Sequence, residues 1–158
     1  MKYAQITGLS FGLTSGVITT LGLMMGLYAS TSLKSVVIGG ILAIAVADSF
    51  SDALGIHISE ESKKSQTGKN IWETTISTFL FKLFFTMTFI VPVLIFPLPT
   101  AIILSIFWGM LLLGILSFRI AISRKESPIS VISEHLTISV LVIVATHYIG
   151  KWVSSVFG

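Results

Sequence analysis

The stretch SVVIGGILAIAVADSFSDALGIHIS, residues 35–59, joins a long apolar run to two acidic residues. Its first thirteen residues carry no charge, and Asp48 and Asp52 follow them, one helical turn apart. A helix of about 20 apolar residues spans the ~30 Å hydrocarbon core of a bilayer. The stretch therefore predicts a membrane-spanning helix that carries two carboxylates, and ionisable groups in such helices are candidates for function.

The rest of the chain has the same character. Of its 158 residues, 53% are hydrophobic and 11% are charged, against roughly a quarter charged in soluble domains. So few charges do not cover a water-soluble surface, and the first apolar run is typical of a permanent span rather than a signal peptide. We expect an all-α, integral multi-pass protein of a prokaryotic cell membrane or a vacuole-type membrane. Its single transmembrane domain, residues 1–158, has predicted spans at about 4–28, 35–59, 71–97, 100–122 and 130–156.

The breaks between the predicted spans contain ordinary loop residues. FPLP, residues 96–99, separates the third span from the fourth, because proline lacks an amide donor and restricts the residue before it. Pro128 is well placed to open the fifth helix. The longest polar stretch, SEESKKSQTGKN, residues 59–70, joins the second span to the third.

The basic residues in the loops predict the orientation, since cytoplasmic loops are enriched in lysine and arginine. Lys34 and Lys151 lie on one side, whereas Lys82 falls within the third span. This distribution predicts a cytoplasmic N-terminus and an external C-terminus. The predicted cytoplasmic side has the remaining seven: Lys2, Lys63, Lys64, Lys69, Arg119, Arg124 and Lys125.

The first span carries Gly8, Gly12 and Gly16 at a spacing of four. Small residues at this spacing share one helical face and let two helix backbones approach closely. Two interpretations are equally compatible with the pattern. The glycines pack against another helix of the same chain, or they form the interface of a homodimer in which two first helices meet.

Polar residues form stripes on the second and third spans. Asp48, Asp52, Gly55 and Ser59 share one face of the second, and Thr75, Thr78, Lys82 and Thr86 share one face of the third. Asp48 lies eleven residues before Ser59, and Lys82 lies eleven residues after Ile71, so the two charges are expected at nearly the same depth.

This match in depth has two interpretations. In one, Lys82 and Asp48 form a buried ion pair that only sets the helix register. In the other, the pair takes part in proton coupling. Asp52 has no evident partner, which leaves it protonated, facing water or meeting a cation.

Further candidate metal ligands lie near the predicted cytoplasmic boundary: Glu60, Glu61, Glu134 and His135. Carboxylate and imidazole groups suit a hard or borderline divalent cation. Solvated helix ends are the more common explanation of such charges, because groups at the interface reach water easily.

Several classes of function are excluded or disfavoured. The chain has no cysteine, which excludes disulfides, thiolate metal sites and iron–sulfur clusters. The net charge of +3 comes from short basic clusters between apolar runs, which does not favour a nucleic-acid partner. No phosphate-binding loop, nucleophile–histidine pair or HExxH motif is present, so we do not expect an enzyme.

The order of motifs resembles the vacuolar iron transporter family. GLSFGLTSGVITTLGLMMGL, residues 8–27, is similar to the family's first helix, with its pattern near G-x-S-D-G-L-T. ADSFSDALGIHIS, residues 47–59, resembles its second helix, near A-D-G-x-S-M-G-L-G-x-Y-L-S. The third span, with its late prolines, and the last loop and span, with the ending YIGKW at residues 148–152, are similar as well.

The resemblance implies a five-helix protomer that forms a homodimer through its first helices and exchanges Fe²⁺ or Mn²⁺ for protons. It corresponds to the short, nodulin-like form, which lacks the cytosolic metal-binding domain. Three residues depart from the family pattern. Phe11 stands where an aspartate is expected, Asp52 replaces a methionine of the metal pathway, and Lys82 replaces an apolar residue.

The leading hypothesis is a dimeric, proton-coupled transporter that moves Fe²⁺ or Mn²⁺ out of the cytosol, with no permanently bound cofactor. Asp52 would be a metal or proton site, Asp48 would exchange between Lys82 and a proton, and the four boundary residues would form the entrance. The alternative is a non-transporting structural subunit, in contact with other membrane subunits, because Phe11 and Lys82 fill and neutralise the expected pathway. Transport of a different, monovalent cation is a third interpretation.

Overall fold

The computed structural model describes residues 3–158, so Lys2, which contributed to the predicted orientation, lies outside the described residues. The described chain consists of helices joined by short connections. The helices are α1 (Tyr3–Thr31), α2 (Lys34–Glu61), α3 (Gly68–Thr88), α4 (Ile90–Ile95), α5 (Leu98–Arg124) and α6 (Pro128–Phe157).

Five helical segments are long and apolar enough to cross a membrane, with α3 and α4 together forming the third. This confirms the predicted all-α class and agrees with an integral multi-pass protein. Four of the five predicted spans each lie within one of these segments. The third span was predicted to reach residue 97, but its helical segment ends at Ile95.

The third span contains a break that the sequence analysis did not predict. Pro92 has no amide hydrogen to donate to the carbonyl of Thr88, and the helix is interrupted at Phe89, whose N–H bonds to the Thr86 carbonyl at 3.2 Å. Beyond the break, Lys34 Nζ donates to the carbonyls of Leu94 (3.1 Å) and Phe96 (3.2 Å), so a side chain from the start of α2 satisfies carbonyls at the end of α4.

The other helix ends follow the sequence signals. Thr67 caps α3, its side chain accepting from the Asn70 N–H. Pro97 precedes the first residue of α5, and α6 begins at Pro128 as predicted. Lys125 ends α5 in a left-handed conformation, with φ 55°.

The first helix is the centre of the bundle, because α1 packs against α2, α3, α5 and α6. The apolar core therefore follows α1, where Val17, Leu21 and Met24 are almost fully buried. Large apolar side chains such as Phe84, Phe107 and Ile129 are exposed on the outside of the bundle. This distribution is the one expected where the surroundings are lipid tails rather than water.

The glycine face of α1 is occupied by α3 of the same chain. A Cβ atom on Gly8 would lie 2.5 Å from Ser77 Cβ, and one on Gly12 would lie 2.8 Å from the Thr78 carbonyl oxygen. A Cβ on Gly16 would lie 3.2 Å from Thr86 Oγ1. The dimer interface predicted for these three glycines is therefore wrong, since their face is already buried within the protomer.

Candidate functional site

Lys82 lies at the centre of a polar cluster inside the bundle and is 0% exposed. Its Nζ lies 2.5 Å from Asp52 Oδ2, to which it donates a hydrogen bond, and 2.5 Å from Asp48 Oδ2 as an ion pair. It also donates to Ser15 Oγ at 2.9 Å. Two of these contacts are hydrogen bonds, whereas the contact with Asp48 is an ion pair in which Oδ2 has no hydrogen-bond partner. We call these four residues, Ser15, Asp48, Asp52 and Lys82, the Lys82 cluster.

Three helices build the Lys82 cluster. Asp48 and Asp52 share one face of α2 because residues four apart are neighbours on a helix. Gly12 and Gly16 let α1 approach the backbone of α3 at Lys82, and this approach brings Ser15 of α1 to the ammonium. The position of Lys82 therefore depends on two glycines of α1, Gly12 and Gly16, which leave room for the close approach of α3.

The predicted pairing of Lys82 with Asp48 is confirmed, but the prediction that Asp52 lacks a partner is wrong. The depth comparison matched Lys82 to one carboxylate only. Its flexible stem reaches both carboxylates at once, because they are successive groups on the same helical face. Ser15 was not predicted as a member of this cluster, although it lies beside Gly16 of the glycine face.

The two carboxylates are partly exposed whereas the ammonium is fully buried. The side chains of Asp48 and Asp52 are 27% and 19% exposed, and that of Lys82 is 0% exposed. Asp48 lines a cleft of about 430 Å³ at the surface of α2, together with Leu23, Gly40 and Ser51. With all groups ionised, two carboxylates face one ammonium, so one negative charge is uncompensated. The cluster therefore offers a partly exposed anionic edge within helices that are long and apolar enough to cross a membrane.

The threonine stripe on α3 differs from the prediction by one residue. Thr74, rather than Thr75, is buried in line with Thr78, Lys82 and Thr86. Thr74 and Thr78 donate to carbonyls one turn back in α3, which satisfies their hydroxyls within the helix. Thr75 instead contacts His57 on the other side of α2.

The four boundary residues do not form a metal site. Glu60 is buried and accepts a hydrogen bond from Lys63 at 2.6 Å, while Glu61 and Glu134 are exposed. His135 Nδ1 lies 2.7 Å from Ser117 Oγ. Within residues 3–158, no three or more histidine, aspartate or glutamate side chains are grouped to hold a metal ion. The four residues therefore do not come together as the predicted metal entrance, because each contacts a local partner or solvent instead of the others.

Two of these local contacts have clear chemical consequences. The hydrogen bond to Glu60 raises the pKa of the Lys63 ammonium above its usual value, because the bond stabilises the charged form. Ser117 donates its hydroxyl hydrogen to the Leu113 carbonyl at 2.6 Å, so it accepts from His135 Nδ1–H. Glu60 and His135, two of the predicted metal ligands, are thus hydrogen-bonded to other residues of the chain.

No protein-family model matches the chain, and no curated protein is significantly similar to it in sequence. The basis for a function is therefore the Lys82 cluster, together with the motifs that resemble a transporter family.

Proposed function

We propose that the chain is a proton-coupled cation transporter of the vacuolar-iron-transporter type, which moves Fe²⁺ or Mn²⁺ out of the cytosol. The observation that carries the proposal is the partly exposed pair of carboxylates, Asp48 and Asp52, held around a buried ammonium in the apolar part of α2. Acidic groups in such a position are costly and typically mark ion pathways. Oxygen ligands bind Mn²⁺ in preference to softer metal ions.

In this proposal Asp52 binds the cation or a proton, and Asp48 alternates between Lys82 and a proton. Two carboxylates and the Ser15 hydroxyl are fewer ligands than the roughly six that hard divalent cations take. Water and a second copy of the chain would supply the rest.

We place the second copy over the cleft that α1 forms with α2 and α6, next to Asp48, instead of over the buried glycine face. Seven basic residues on one side against two on the other favour an N-in, C-out orientation.

The test is metal uptake into proteoliposomes that contain a Mn²⁺-sensitive dye and carry a pH gradient. We expect Asp52→Asn to lower the Mn²⁺ flux about tenfold or more, because losing even an outer partner of a metal ligand costs that much. Glu61→Gln is the matched control, since Glu61 is an exposed carboxylate outside the Lys82 cluster. Equal flux through wild type and Asp52→Asn would remove Asp52 from the pathway.

A second candidate function is a structural subunit that transports nothing. It is favoured by the complete burial of Lys82 against both carboxylates and by the absence of a three-residue metal group within residues 3–158. In this case the Lys82 cluster serves only to fix three helices. Purification in mild detergent separates the candidates: stoichiometric foreign subunits together with zero metal flux indicate the structural role.

A further inference from the structure

A second recess lies on the opposite side of α2 from Asp48 and Asp52. It has a volume of about 350 Å³, within the usual ~300–1,000 Å³ range of ligand sites. It opens on the outer surface of the α2–α3 pair, where Phe50 and Trp72 are exposed. Its lining is almost entirely apolar and includes Phe50, Leu54, His57, Trp72, Ile76 and Phe79.

One polar group, His57, is held in a fixed orientation at the loop end of this recess. Thr75 donates its hydroxyl hydrogen to the Ile71 carbonyl at 2.8 Å, so it accepts from His57 Nδ1–H at 2.9 Å. The Trp72 ring packs edge-on against the imidazole, with centroids 4.7 Å apart. None of the hydrogen bonds described for residues 3–158 uses His57 Nε2, which in this tautomer is free to accept a hydrogen bond from a ligand.

Positive charge lies just beyond the same end. Lys69 is three residues before Trp72, which puts it on the recess face of α3, and Lys64 is in the adjoining loop. Both lysines are exposed. Two carboxylates lie near them, Glu61 one turn beyond His57 on α2 and Glu73 directly after Trp72 on α3, while Glu60 is paired with Lys63. Basic groups that flank an apolar recess between membrane helices are complementary to an anionic lipid head group.

We propose that the recess binds an anionic phospholipid from the leaflet on the side of the α2–α3 loop. One acyl chain fills the apolar part, because an empty recess loses dispersion contacts and the bilayer supplies apolar chains at this depth. The phosphate lies near Lys69, and His57 Nε2 accepts a hydrogen bond from a hydroxyl of the head group. This site is separate from the Lys82 cluster and does not depend on transport.

The experiment uses Trp72 as the reporter of the bound lipid. The protein with Trp108→Phe and Trp152→Phe is reconstituted in phosphatidylcholine vesicles that contain a minor share of lipid with brominated chains, which quench tryptophan on contact. We expect brominated phosphatidylglycerol to quench Trp72 about fivefold more than brominated phosphatidylcholine, the enrichment that one or two basic groups near the surface produce. Lys69→Gln should reduce this ratio towards one.

Two controls make the result specific. In protein with Trp72→Phe and Trp152→Phe, the reporter is Trp108 on α5. The recess that Trp108 lines contains no charged residue, so the two lipids should quench it equally. Lys125→Gln, at the end of α5, should leave the Trp72 ratio unchanged. Equal quenching of Trp72 by both lipids, or a ratio that Lys69→Gln does not change, overturns the proposal. Protection of Trp72 from every brominated lipid does so as well, because it would mean that protein covers the recess.

Discussion

Lys82 determines the electrostatics of the interior. An ammonium that is 0% exposed inside an apolar helical bundle requires compensating charge, and it obtains two carboxylates and a hydroxyl. The converse also holds, since Asp48 and Asp52 are one turn apart on α2 and would repel each other without a cation between them. Each charged residue of the Lys82 cluster is therefore tolerable only because the others are present.

The first residue-scale prediction is that Lys82→Met destabilises the protein by about 3–5 kcal/mol at neutral pH, since removing one member of a buried ion pair leaves unpaired charge. The expected result is a lower unfolding temperature in detergent.

The matched control removes all three charges at once. Because neutral groups often replace a buried ion pair with little loss of stability, Lys82→Met combined with Asp48→Asn and Asp52→Asn should recover most of the lost unfolding temperature. If Lys82→Met alone unfolds at the wild-type temperature, the Lys82 cluster does not stabilise the bundle.

At the scale of helices, the contact between α1 and α3 positions the Lys82 cluster. A Cβ atom on Gly12 would lie 2.8 Å from the Thr78 carbonyl oxygen and 2.9 Å from the Lys82 backbone nitrogen. Backbone atoms yield only if a whole helix moves, so this position admits no side chain without separating α1 from α3. The glycine pattern was visible in the sequence, but the partner that it serves was not.

We therefore predict that Gly12→Ala lowers stability by about 1–3 kcal/mol, the usual effect of overpacking, and shifts Lys82 relative to Ser15. Thermal unfolding in detergent measures the loss. Gly55→Ala is the control, because a Cβ there meets nothing within 4 Å and alanine favours a helix by up to ~1 kcal/mol. Equal responses of the two variants would contradict the close packing at Gly12.

The break at Phe89 shows a limit of reading helices from sequence. The prolines at 97 and 99 ended the third span as predicted, whereas Pro92 divided it unexpectedly. Proline is tolerated within membrane helices where neighbours satisfy the freed backbone groups, so its effect depends on those neighbours. Here Lys34 from α2 satisfies the end of the short α4, which no local pattern around Pro92 indicates.

At the scale of the whole molecule, α1 leaves part of its length uncovered. A cleft of about 670 Å³ follows it, lined by α1, by Ile44 of α2 and by residues of α6 that include Thr146 and Gly150. Ile44 also lines the adjoining cleft that contains Asp48. This continuous surface, rather than the glycine face, is the region where we propose that two protomers meet.

The corresponding prediction concerns oligomeric state. We expect wild type to have the mass of a dimer by size-exclusion chromatography with light scattering in mild detergent, and Ile44→Trp to shift it towards the monomer because the larger ring obstructs the cleft. Val46→Trp is the control, on the same helix but at an exposed position outside the cleft. A monomeric wild type at every protein concentration would refute the dimer.

The sequence by itself determined the five helical segments that are long and apolar enough to cross a membrane, most of their ends and the common depth of Lys82 and Asp48. These features depend on apolar length and helical period, which are local properties of the chain. Only the tertiary structure decided that Lys82 bridges both carboxylates, that Ser15 joins them, that Glu60 and His135 find separate partners, and that the glycines face α3. The physical reason is that a polar group's partner depends on how closely neighbouring helices approach and how they are rotated, and packing between distant segments sets both.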